Sequence, residues 1–140
     1  MENKNMTKKS NNKGFSLVEL IVVIAIMAVL IGVLAPTLIN NIEKSRKSKD
    51  QQNLDTVYQA ITTALADEAI AKQLSTPASI TVAGSSGSIT GSNTSLTNEV
   101  QAIAGSTCVL SSKCGKDTSV VFTIDANYKI DLDGAKYKSW

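Results

Sequence analysis

Few residues in this chain are suited to chemistry. Histidine is absent, and the two cysteines are not in a Cys-x-x-Cys pair. The usual proton shuttle and the usual zinc or redox ligand sets are therefore missing. The groups that remain are Glu19, Cys108, Cys114, and three acids near the end, Asp125, Asp131 and Asp133. The three acids could offer hard oxygens to calcium, but hairpin aspartates more often face water. No metal and no cofactor is expected. Cys108 and Cys114 enclose Val109 to Lys113, a spacing that a disulfide can span if the turn brings the Cα atoms together. Such a bond persists outside the cytoplasm and contributes about 2 kcal/mol. The formal net charge of +2 comes from 14 basic and 12 acidic residues, far from the balance of a dedicated nucleic-acid binder. There is no phosphate-binding Gly-rich loop. Enzymatic function is not expected.

Glu19 stands out by its position. From Leu20 to Ala35 the chain carries no charge, and Phe15 to Glu19 extend that run to about the ~20 residues that cross a bilayer core as a helix. An ionised carboxylate set deep in such a segment costs roughly 2.5 to 3.5 kcal/mol on insertion scales, so it is usually paired or functional. One turn into the helix, Glu19 could also snorkel to the headgroups, and helix N-termini favour acids. Position alone thus explains tolerance, not purpose.

The elements around Glu19 divide the chain into four parts. Residues 1–14 are a polar, Lys-bearing leader. Residues 15–39 form a hydrophobic helix. The Lys residues of the leader favour a cytoplasmic N-terminus only slightly over the basic stretch Glu43 to Asp50. Val33-Leu34-Ala35 followed by Pro36 is a poor signal-peptidase site, so the helix is expected to be retained. Residues 40–74 continue the helix. Glu43 to Asn53 is wholly polar, and Leu54, Val57, Tyr58, Ile61, Leu65, Ala69 and Leu74 then mark one face at helical spacing. Residues 75–140 form a head. Its Ser/Thr/Gly/Asn-rich connection, Ser75 to Asn98, reads as a solvated loop with a short strand at Ile80 to Val82 and a weak glycosylation tripeptide at Asn93. Asn98 is the expected cap of a short helix ending at Ala104. Val120 to Asp125 and Tyr128 to Leu132 alternate as an antiparallel hairpin. A helix across a small antiparallel sheet gives the fold class α+β.

Gly14-Phe15-Ser16-Leu17-Val18-Glu19-Leu20, after a basic leader and before an apolar helix, resembles the N-terminus of type IV prepilins and the related pseudopilins. The resemblance rests on about Lys13 to Pro36. It implies cleavage between Gly14 and Phe15 by a prepilin peptidase, and N-methylation of Phe15. It further implies a structural subunit that polymerises into a helical homo-oligomer, in which the amine of Phe15 pairs with Glu19 of a neighbour. Gly32 and Pro36 would mark a kink or local unwinding. A cytoplasmic motor ATPase and a platform membrane protein would drive assembly. The precursor would sit in the cytoplasmic membrane as a single pass with its N-terminus inside, and the assembled form would be a cell-surface type IV pilus. The alternatives are a pseudopilin of a type II secretion or competence system, and a single-pass membrane-anchored extracellular binding protein.

Overall fold

The computed structural model describes residues 14–133. Residues 1–13 of the leader and residues 134–140 lie outside the described residues, as does the side chain of Asp133. The chain divides into two units, Met1–Ile39 and Asn40–Trp140.

In the first unit the backbone turns helical at Leu17, opening α1 (Leu17–Leu65). In residues 17 to 39 Leu, Ala, Met and Glu favour the helix while the many Val and Ile residues do not, and as a helix the segment extends about 35 Å at the standard rise. Their apolar side chains are exposed in the single chain, and the segment is long and apolar enough to cross a membrane. Gly32 and Pro36 both lie inside the helix, which runs on through them.

The second unit is a helix on a sheet, as the alternation of apolar residues requires. Four antiparallel strands, β1 (Ala78–Val82), β2 (Ile89–Gly91), β3 (Val120–Ile124) and β4 (Ile130–Asp133), lie in the order β2-β1-β3-β4. In the central pair Ala78 faces Ile124, Ile80 faces Phe122 and Val82 faces Val120. All six are buried. Directly opposed apolar pairs of this kind are the unit of sheet stabilisation. Leu54, Val57, Ala60, Ile61 and Ala64 supply the buried face of α1 and share one core with the inward strand residues.

The helix expected to reach residue 74 ends at Leu65. Asp67 then caps a separate α2 (Glu68–Gln73), its side chain accepting from the Ala69 N–H at 2.8 Å. The break resets the helical phase. Ile70 is buried where the spacing points to Ala69, which is exposed. Tyr58, in the expected stripe, is about half exposed.

The Ser/Thr/Gly-rich connection is not a solvated loop. It holds β1, β2 and the start of α3 (Thr94–Ala104). The cap of α3 is Asn93, not Asn98: its Oδ1 accepts from the Leu96 N–H at 3.0 Å. Its Nδ2 donates to the Gln73 carbonyl at 3.1 Å, so the nitrogen a glycan would take is already engaged.

The glycines of the β1–β2 turn are structural. Gly87, at φ 67°, places its carbonyl to accept from the Cys108 N–H at 2.7 Å, and Gly84 likewise accepts from the Leu110 N–H at 3.1 Å. A Cβ on Gly84 would overlap the Gly115 carbonyl and stand 2.5 Å from that of Thr118. The composition that reads as flexibility is here the condition for backbones to touch.

Candidate functional site

The N-terminal site begins with how α1 starts. Ser16 precedes the first helical residue, and its carbonyl accepts from the Leu20 N–H at 3.2 Å. Glu19, three residues on, turns back so that its Oε2 accepts from the Ser16 N–H at 2.9 Å. This is the reciprocal half of a capping box, which satisfies a backbone donor that the helix leaves unpaired. The positive end of the helix dipole lies at the same place and favours the carboxylate. Glu19 is therefore fixed by its own helix. Its Oε1 takes no hydrogen bond among the described residues. Phe15 is 89% exposed, one residue before the cap. Gly14 and Phe15 lie outside regular structure and are exposed. Gly32 has open space about its Cα, and Pro36 is accommodated within the helix.

The other site residues from the sequence fall apart. The expected bond between Cys108 and Cys114 is not formed in this structure, and both are free thiols. Cys108 belongs to the buried core, whereas Cys114 sits exposed on a short turn, α4 (Lys113–Lys116). Burial first, and then the nearby Asp50 charge, push the Cys108 thiol above its ordinary value. It is a poor nucleophile for that reason. Asp125 accepts the Asn127 and Lys129 N–H groups on Oδ1, at 2.8 and 2.9 Å. It thus closes the β3–β4 turn, where Tyr128 takes φ 59°. No group of three or more Cys, Asp or Glu residues is gathered for a metal among the described residues.

The polar constellation that the sequence reading missed lies on α1 itself. Asp50, within the stretch read as polar all round, is fully buried. Its Oδ1 accepts from the Ser111 N–H at 2.7 Å and the Ser111 hydroxyl at 3.2 Å, and its Oδ2 from the Ser112 N–H at 2.8 Å. Burial pushes the carboxyl up, but the bonds from Ser112 and Ser111 outweigh it and hold the group below the usual carboxylate range. One turn pair upstream, Glu43 Oε1 accepts from the Lys113 N–H at 2.7 Å. Asn53 Nδ2 donates to the Val109 carbonyl at 3.1 Å. Ser112 in turn caps α4 by accepting from the Gly115 N–H at 3.0 Å. Three side chains of one helix thus hold the whole segment between the cysteines. The signal was available in the spacing: Glu43, Asp50, Val57 and Ala64 recur every seven residues, so the inward face of the helix continues upstream in polar form.

Against known proteins, residues 9–35 match the prokaryotic N-terminal methylation motif. Over 86 residues the chain is 35% identical to prepilin peptidase-dependent protein A of Clostridium perfringens, an alignment covering 61% of this chain and 59% of that protein. The chain thus spans less than two-thirds of the length of that relative. No solved structure matches it. The N-terminus thus carries a prokaryotic N-terminal methylation motif that runs into a helix long and apolar enough to cross a membrane.

Proposed function

We propose that the chain is a structural subunit of a type IV pilus-like filament. It is cut between Gly14 and Phe15 by a prepilin peptidase, methylated on Phe15, and polymerised through the apolar part of α1 by an assembly ATPase and a platform membrane protein. The observation that carries this reading is the position of Glu19: a carboxylate capped onto the first turn of a helix whose apolar side chains are uncovered. It lies within the matched methylation motif.

The chemistry follows from that placement. Cleavage converts the Phe15 amide nitrogen into a cationic amine. The Oε1 of Glu19 on an adjacent copy neutralises it, while Oε2 stays on the Ser16 N–H. In a low-dielectric bundle of helices a misplaced copy leaves one of these charges unpaired, which is costly. The pair therefore sets axial register, and the exposed apolar side chains supply the association itself. Such a subunit performs no catalysis and holds no cofactor.

The test is mass spectrometry of the chain recovered from cell-surface filaments. An N-terminus at methylated Phe15 is expected. A chain that still begins at Met1 contradicts the proposal and favours an anchored binding protein. Processed chain with only short, membrane-held assemblies favours a pseudopilin.

A further inference from the structure

We infer that the head carries a cationic collar that engages anionic phospholipid headgroups where the chain emerges from the membrane. This rests on the membrane-anchored subunit proposed above. Lys44, Arg46, Lys47 and Lys49 follow closely on Ile42, the last apolar residue of the long run. Counted along the sequence, Glu43 and Asp50 offset half of that charge. In the folded head neither acid faces outward. Asp50 is fully buried on Ser111 and Ser112. The Glu43 side chain is only 20% exposed, set between the Lys113 N–H and Arg46, 3.9 Å away.

The same bonds bring α4 against this stretch and add two exposed cations, Lys113 and Lys116. Asp117, at the end of α4, is an exposed acid that remains beside them. The six cations of this patch stand against three acids, Glu43, Asp50 and Asp117, and two of those acids are turned inward, so the surface the patch presents is basic.

Geometry selects the partner. At 100° per residue, Lys44, Arg46, Lys47 and Lys49 point to different sides of the helix and ring it. A ring suits a planar sheet of phosphodiesters better than a ligand approaching from one side. With the apolar run filling the hydrocarbon, these residues fall at headgroup depth, where each Lys or Arg adds to binding of an anionic surface within a Debye length.

The test uses the full chain labelled at Cys114, which is exposed while Cys108 is buried. It is reconstituted into vesicles of phosphatidylcholine, with or without phosphatidylglycerol, that carry a headgroup-linked acceptor dye. Energy transfer is expected to rise with phosphatidylglycerol. That rise should disappear when salt is increased from about 0.1 M to about 1 M, which shortens the Debye length from about 10 to about 3 Å. Two variants, Lys44→Gln/Lys47→Gln/Lys49→Gln and Lys113→Gln/Lys116→Gln, should each lose at least half of the rise. Equal transfer in both lipids, or a rise unchanged in both variants, overturns the collar. A rise that follows protein density rather than phosphatidylglycerol points to contact between copies and also overturns it. Flotation with phosphatidylcholine vesicles reports anchoring separately, so a failed anchor is distinguishable from a failed collar.

Discussion

Asp50 Oδ2 accepts a hydrogen bond from the Ser112 N–H at 2.8 Å, joining residues 62 positions apart. Together with the bonds to Ser111, it anchors the segment between the cysteines to the long helix. Replacing Asp50 by Asn sets an amide donor where carboxylate oxygens now accept from the Ser111 N–H and the fully buried Ser112 N–H. Asp50→Asn should lower stability by about 3 kcal/mol, the scale of bonds to a charged group. Urea unfolding of the detergent-solubilised chain measures it, and a loss below about 1 kcal/mol would show that the anchor is dispensable.

The same carboxylate sets an acid limit. Its folded value lies below the ordinary one, so its contribution is full above about pH 4, where the unfolded carboxyl is also ionised. Below that, the unfolded chain takes up a proton first, and the contribution is lost as pH falls through the depressed folded value. Acid unfolding followed by circular dichroism should show this dependence in the wild type and a flatter profile in Asp50→Asn.

Two glycines should respond in opposite directions. At Gly84 a methyl group meets the carbonyls of Gly115, Lys116 and Thr118, and overpacking against backbone has no flexible neighbour to absorb it. Gly84→Ala should cost about 3 kcal/mol. At Gly32 an added Cβ meets nothing, and Gly32→Ala should stabilise the helix by about 1 kcal/mol. Thermal unfolding tests the first. Slower hydrogen exchange around residue 32 tests the second.

The thiols should differ in rate. Alkylation of the unreduced chain is expected to modify Cys114 quickly and Cys108 slowly, because Cys108 is buried and its thiol is pushed up. Recovery of unmodified protein that reacts only after reduction would instead establish the disulfide.

The sequence made the inward strands readable because Val120, Phe122 and Ile124 alternate with partly exposed residues, a pattern with one physical solution. The stripe Leu54, Val57 and Ile61 was legible for the same reason at helical period. The N-terminal motif was legible because Ser16 and Glu19 act locally, three residues apart. Asp50 was not, since a carboxylate on a helix ordinarily faces water and its partners lie on a distant loop. Nor were the roles of Gly84 and Gly87, because composition registers the freedom of glycine but not the backbone that approaches it. The cap at Asn93 was hidden by a second plausible cap, Asn98, five residues further on.

The central claim is that Glu19 holds the Phe15 amine of an adjacent copy. It is tested most directly by counting surface filaments formed by Glu19→Ala while the N-terminus of the variant is read by mass spectrometry. The account predicts a chain still cut and methylated at Phe15, with filaments reduced severalfold or absent. Filaments at the wild-type level from a correctly processed Glu19→Ala chain would contradict it.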